Sequence, residues 1–196
     1  MKKIAIIIKT NSLEFDDRIR KVSLTLSKDA DVKIFALLND NVEKEDVTSY
    51  YICYHSFFLK TRALFPKKKF LMLKMLEFYL KVSKQVKGYD ILWANDENTF
   101  LFPLFARKNR AVWDLHEIPE FFLKKKFKFF FHRIERKSLK ILHANPFRID
   151  YLYEQGVISD KSKHSYMRNY PDRIFLEKSI KSSVYENFVE WLGGER

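Results

Sequence analysis

The chain has 196 residues, 46% of them hydrophobic and 16% aromatic, which gives one domain ample core material and excludes a disordered polyelectrolyte. Lys and Arg outnumber Asp and Glu by 37 to 25, a net charge of +12, which favours an anionic partner such as lipid headgroups, phosphates or nucleic acid. The single cysteine, Cys53, rules out an internal disulfide and a cysteine-rich zinc centre and fits a reducing compartment, and no stretch approaches the roughly 18 apolar residues of a membrane-crossing helix.

The apolar run at 4–8 follows two lysines but ends at Lys9 and Asn11, too short for a secretory segment, and reads as a buried first strand. A helix is predicted over 17–28, a second strand over 32–38 and a weaker third over 50–54. A long helix over 70–87 precedes a strand at 91–94 and a short helix at 99–107 with Pro103 near its start. The strand at 111–115 leads to a helix over 119–138, opened by Pro119. A strand at 141–144, a helix at 146–154 stopped by Gly156, a strand at 163–167 and a closing helix at 182–192 complete the pattern. Repeated βα units predict an α/β, Rossmann-like, doubly wound and mostly parallel sheet with helices on both faces. Right-handed crossovers then gather the carboxyl ends of the strands along one edge. The first domain is expected to span 1–178, with 179–196 a terminal helix and crossover.

Several chemistries are absent from that edge. No glycine precedes Gly88, which argues against a Gly-x-Gly-x-x-Gly dinucleotide loop and a P-loop. There is no Gly-x-Ser-x-Gly elbow, and no His-Glu-x-x-His pairing suggests a metal. What remains is polar: Asp16, Asp17 and Arg18 after the first strand, Asn95, Asp96 and Glu97 after the fourth, and Asp114, His116 and Glu117 after the fifth. Each has a plain structural reading. Asp16 or Asp17 caps a helix, Arg18 faces solvent, and Asp96 and Glu97 cap and charge the next helix. Asp114 and His116, two apart, point to one side of a strand, where an imidazole beside a carboxylate either binds a hydroxyl, carries a proton or satisfies a buried loop. His143 reads as a core or edge histidine, and His55, His132 and His164 have no sequence partner.

The most unusual composition is the basic aromatic stretch from Phe121 to Arg133. On one helix, Leu123, Phe127, Phe130, Ile134 and Ser138 would share a stripe and Lys125, Lys128, His132 and Arg136 another. Lys67, Lys68 and Lys69 precede the long helix, whose Lys74, Lys81 and Lys84 would form a basic face. Such faces are either solvated, or contact an anionic membrane surface through Lys67, Lys68, Lys69, Lys124, Lys125, Lys126 and Lys128. Nucleic-acid binding ranks behind both, because no DNA- or RNA-binding motif accompanies the charge.

Taken together the segments resemble the amino-terminal domain of a retaining glycosyltransferase with the GT-B fold, of the large family that includes many bacterial polysaccharide and lipopolysaccharide enzymes. The resemblance lies in Phe15-Asp16 with Arg18, Ile19 and Lys21, in Tyr89 to Asp96, in Val112 to Glu117, and in Glu135, Ala144 and Arg168-Asn169-Tyr170-Pro171-Asp172. It implies that His116 lies near the transferred sugar, with Glu117 and Asp114 orienting it or its loop. It implies that Asp16 and Arg18 shape the acceptor side, that Asn95 and Asp96 bind substrate and that Asn169 lies near the crossover. Thr10-Asn11-Ser12 departs from relatives that carry glycines there, which weakens any donor-phosphate contact at that loop. The family binds its nucleotide-sugar donor mainly in a carboxy-terminal domain and usually needs no metal. Residues 193–196 fall about where the family crosses into that domain. The expectations are an acceptor-binding half with no cofactor of its own, a carbohydrate or lipid-linked glycan acceptor, a donor-binding domain in cis or as a subunit, no nucleic acid, and a cytoplasmic location at the inner face of the plasma membrane.

Overall fold

A computed structural model describes residues 1–14, 16–49, 52–65, 69–118, 120–124 and 127–168. The expected closing helix, the boundary at 178, and Asn169, Lys67, Lys68, Lys125 and Lys126 lie outside the described residues.

Eight strands form one sheet: β1 (Lys2–Lys9), β2 (Ala30–Leu37), β3 (Lys44–Ser49), β4 (Ile52–Ser56), β5 (Ile91–Asn95), β6 (Ala111–Leu115), β7 (Lys140–His143) and β8 (His164–Tyr166). Their order is β3-β4-β2-β1-β5-β6-β7-β8. Every neighbouring pair is parallel except β3 with β4. This is the expected α/β, Rossmann-like architecture. The helices are α1 (Asp17–Leu26), α2 (Lys60–Leu64), α3 (Leu71–Gln85), α4 (Leu101–Phe105), α5 (Glu120–Leu123), α6 (Lys128–Lys137) and α7 (Phe147–Glu154).

Strand alternation divides β1 between two cores. Ile4, Ile6 and Ile8 pack with Ile19 and Val22 of α1. Ala5 and Ile7 belong to the other core, with Met75 and Phe78 of α3, Leu104 of α4, Phe122 of α5, Phe131 of α6 and Leu152 of α7. The two parallel wings of the sheet meet between β1 and β5, where the strand order reverses. Open α/β sheets bind ligands at the carboxyl ends beside such a switch point.

Three expectations are corrected. β3 was not predicted: it is a charged edge strand, Lys-Glu-Asp-Val-Thr-Ser, with an irregular register between Lys44 and Val47 and Asp46 at φ 50°. Charge and irregularity are how an edge strand avoids further pairing, and they remove the apolar signal that reveals a strand. The helix expected over 119–138 is two helices; of the predicted stripe Ile134 and Ser138 are buried, and α6 buries Phe131 and Glu135 beside them. Phe130 instead stays exposed. On α3, Lys74 is buried with Met75, Phe78 and Val82 and drops out of the expected basic face, of which Lys81 and Lys84 remain at the surface. The outward side of α3 is apolar, with Met72, Leu73, Leu76 and Leu80 exposed.

Candidate functional site

At the switch point β1 ends at Lys9 and Thr10 follows it, the alternation of the strand sending Lys9 to the α3 face and Thr10 to the α1 face. On the α1 side an open cleft of about 660 Å³ is lined by Thr10, Asn11, Ser12, Asp16, Arg18 and His116. Asp16 caps α1, its carboxylate accepting from the Ile19 amide at 3.2 Å. That cap starts the helix at Asp17 and turns Arg18 toward the sheet, where Ile19 and Val22 also bury.

Arg18 meets Asp114 at the end of β6. Its Nε lies 3.1 Å from Oδ2, and Nη2 donates to Oδ1, a bidentate pair. Arg18 is thus buried rather than facing solvent. Burial alone would raise the Asp114 carboxyl, but neighbouring His116 and the paired guanidinium outweigh it and hold the group below the usual carboxylate range. Asp114 and Asn95 are both 0% exposed. The buried Asp114 carboxylate is a fixed counter-charge to Arg18, and the Asn95 amide has no hydrogen-bond partner among the described residues.

His116 stands just beyond β6 with 30% of its side chain open, its Nε2 facing inward 3.7 Å from Asp114 Oδ2. That nitrogen has no hydrogen-bond partner among the described residues. Arg148 of α7 donates to the His116 carbonyl and fixes the loop. The chain Arg18–Asp114–His116 therefore runs from a buried ion pair to an imidazole at the cleft surface. Glu117 next to it is exposed.

The adjoining turn is strained. Asp96 adopts φ 71° and ψ 167°, a region otherwise almost confined to glycine. Three neighbours hold it there. Its amide donates to the Asp114 carbonyl at 2.8 Å, and its own carbonyl accepts from Trp113 Nε1 at 3.0 Å and Thr99 Oγ1 at 2.8 Å. Its carboxylate accepts from the Glu97 amide at 2.9 Å. Burial, followed by the Asp96 carboxylate and the charge of Glu117, pushes Glu97 up to about 7. Glu97 is thus a rim carboxyl that titrates near neutrality. Sequence placed it on this loop beside Asp96 but gave no means of separating a cap from a perturbed acid.

The sequence-predicted basic residues scatter. Lys69 and Lys124 are exposed, whereas Lys128 is half-buried and donates to the Gln155 carbonyl. His143 is buried, as read from sequence, and bonds His164 at 2.8 Å. Among the described residues one metal-sized cluster forms, of Glu43, Glu45 and His55 at the β3–β4 edge. Glu43 there already faces Lys81 at 3.7 Å, and the cluster lies away from the rim.

No family model matches the sequence, and no curated protein matches it. Solved structures match in fold. A sucrose-phosphate synthase chain from Thermosynechococcus elongatus is 14% identical with a TM-score of 0.60, covering 96% of this chain and 99% of that one. A longer sucrose-phosphate synthase structure from the same organism is 11% identical with a TM-score of 0.62, covering 88% of this chain and 49% of that one. The trehalose-6-phosphate phosphatase N-terminal domain of Candida albicans is 15% identical with a TM-score of 0.61, covering 97% and 53%. The chain spans about half the length of these two longer structures and has the fold of GT-B glycosyltransferase domains.

Proposed function

We propose that this domain is the acceptor-side wall of a nucleotide-sugar-dependent, retaining glycosyltransferase of the polysaccharide or cell-envelope kind. The observation that carries the reading is the Arg18–Asp114–His116 chain, which ends in an open imidazole at the switch-point rim. In this reading His116 meets the transferred sugar, and Asp16, Arg18 and Glu117 shape the acceptor side. Glu97, near half-protonated at neutral pH, can donate to or accept from an acceptor hydroxyl. The nucleotide-sugar sits on a second domain, in the same polypeptide or a separate subunit. The half-length match to the longer structures supports this division. In the protein combined with that domain, His116→Ala is expected to lower sugar transfer on the order of a hundredfold, the scale of one lost positioned donor. Transfer unchanged by the substitution would move the chemistry elsewhere.

The membrane-face part of the reading gains support from α3. Met72, Leu73, Leu76 and Leu80 are exposed beside Phe70, and Lys69 is exposed at the helix start. An apolar helix face with basic flanks suits the headgroup boundary of an anionic bilayer. Among the described residues no helix is long and apolar enough to cross a membrane. Co-sedimentation with phosphatidylglycerol vesicles but not phosphatidylcholine vesicles is expected, and Leu76→Glu should abolish it. Equal binding to both vesicle types would remove the electrostatic contribution.

A further inference from the structure

We propose that Glu43, Glu45 and His55 form a binding site for a divalent transition-metal ion, zinc by preference, at the β3–β4 edge of the sheet. The site stands apart from the switch-point rim and does not depend on the acceptor-side reading.

The anchor is His55 on β4. Its ring packs 4.4 Å from the Phe57 ring and 6.4 Å from that of Phe35, which fixes its orientation. The residue is 3% exposed, yet its Nε2 is buried with no hydrogen-bond partner among the described residues. A buried imidazole nitrogen left unpaired is destabilising unless a ligand takes it up. That nitrogen faces carboxylates supplied by an irregularity in β3. Lys44 pairs with Ser56 and Val47 with Tyr54, so Glu45 and Asp46 together stand opposite His55 alone. Such a bulge breaks the strand's alternation and re-aims a side chain. Asp46, at φ 50°, carries the distortion and turns its carboxylate to Lys33. Glu45 is left to join Glu43 at the imidazole, and the ligand atoms of the three lie within 4.8 Å of one another. Glu43 Oε1 stands 3.9 Å from His55 Nε2. The backbone leading to Glu43 is pinned. Ser56 Oγ donates to the Val42 carbonyl at 2.8 Å, and the Asn41 side chain bonds the Leu59 amide and carbonyl at 2.9 and 3.1 Å.

The donor set selects the ion. One imidazole with two carboxylates suits zinc and its first-row neighbours, whereas calcium and magnesium take oxygen donors. Donors bound to one tetrahedral ion stand roughly 3.4 Å apart, so the His55–Glu43 spacing has to close by about half an ångström. The carboxylates supply that movement, because Glu43 and Glu45 are exposed and the imidazole is packed. Lys81 of α3 leaves the site open. Its ammonium donates to the Phe58 carbonyl at 2.7 Å and stands 3.7 Å from Glu43 Oε2, so Oε1 remains for the ion. A divalent cation there offsets the repulsion between the two carboxylates and ties the charged edge strand to β4. Three protein donors leave a fourth position to water.

The test is calorimetric titration of the full chain with zinc chloride in a non-chelating buffer, with thermal unfolding recorded beside it. One zinc ion per chain should bind with a Kd of about 100 μM or tighter, and magnesium at about a hundredfold excess should not displace it. Zinc at about a hundredfold over its Kd should raise the melting temperature by about 5 °C or more. Glu43→Gln and Glu45→Gln should each weaken zinc about tenfold or more. Both positions are exposed, so without zinc these variants should melt within about 2 °C of the parent chain, which separates a lost ligand from a lost fold. His55→Gln is less informative alone, because it also disturbs packing against Phe57. His132→Gln is the control for a surface histidine beside a carboxylate, since His132 is 40% exposed and 3.6 Å from Glu135, and it should leave the zinc affinity unaltered. Weaker zinc binding than that limit, displacement by magnesium, affinity unaltered in both glutamate variants, or affinity lost in His132→Gln overturns the proposal.

Discussion

Two buried carboxylates, Asp114 on β6 and Glu135 on α6, are held by different surroundings to different ends. Glu135 is 2% exposed and fully engaged. It accepts from the Ser159 amide at 2.9 Å, the Ser159 hydroxyl at 2.6 Å and the Asp160 amide at 3.0 Å, and contacts His164 at 3.1 Å. His164 in turn bonds His143, so the chain ends inside the protein. Asp114 has an equally strong partner in Arg18, but its second neighbour, His116, opens onto the rim. Both carboxyls titrate below their usual range. Cavity volume does not separate them either, since Glu135 borders a space of about 530 Å³ with Lys108, Arg133 and Arg136 around it. What separates them is whether the neighbouring imidazole is sealed inside or opens onto the rim, and whether strain accompanies it. Asn109, at φ 57° near Glu135, is a residue type that tolerates that conformation, whereas Asp96 beside Asp114 is not in a region its type favours. A depressed pKa therefore marks a clasp as readily as a site.

The clasp should dominate stability. Glu135→Ala leaves two amides, a hydroxyl and His164 without their acceptor and is expected to cost ~3–5 kcal/mol in chemical denaturation. Asp114→Ala alone strands Arg18 at similar cost, but Asp114→Leu with Arg18→Met should recover most of it, because a buried ion pair is replaceable by apolar packing. Acid should expose the same asymmetry. Burial, with the charge of His164 adding to it, lowers His143 from 6.5 to about 3, so the unfolded chain binds its proton first. Stability present above pH 6.5 is then lost as pH falls toward 3, by about 1.4 kcal/mol per unit from this group. Burial would raise Glu135, but His164, Ser159 and Asp160 lower it from 4.5 to about 2, so its contribution is present above pH 4.5 and is lost as pH falls toward 2. A melting temperature flat from pH 7 to about 4 would contradict the buried histidine pair.

Sequence carried the frame because β1, β2, β6 and β7 are short apolar runs bounded by polar or helical segments, which is what burial on both faces of a parallel sheet requires. It also carried the polar strand ends, since few other residues interrupt those runs. It could not choose between apolar stripes on α3, where Leu71, Met72, Leu73, Met75, Leu76, Phe78 and Leu80 offer a buried face on nearly every side. Packing against Phe57 and Phe102 decided for Phe78, which carried Lys74 inward and left Met72, Leu76 and Leu80 outside. Nor could it show that Asp114 and Asn95 point into the interior, because strand alternation gives a face and not what covers it. Lys9 and Arg62 lie about fifty residues apart in sequence and line one pocket because β1 and β2 are neighbours and α2 follows β4. No local pattern announces a pocket built across that separation.

The strain at Asp96 gives the smallest predicted effect. At an ordinary position alanine is more stable than glycine by roughly 0.5–1 kcal/mol, because glycine loses more backbone freedom on folding. At φ 71° and ψ 167° the order should reverse. Asp96→Gly and Asp96→Ala both lose the bond to the Glu97 amide, so that cost cancels between them. Only alanine keeps a Cβ in the unfavourable region, and Asp96→Gly should therefore exceed Asp96→Ala by ~1–2 kcal/mol in urea denaturation. The reversed order would mean that the turn relaxes once its side chain is removed. The strain would then belong to the Asp96–Glu97 contact and not to the backbone bonds from Asp114, Trp113 and Thr99.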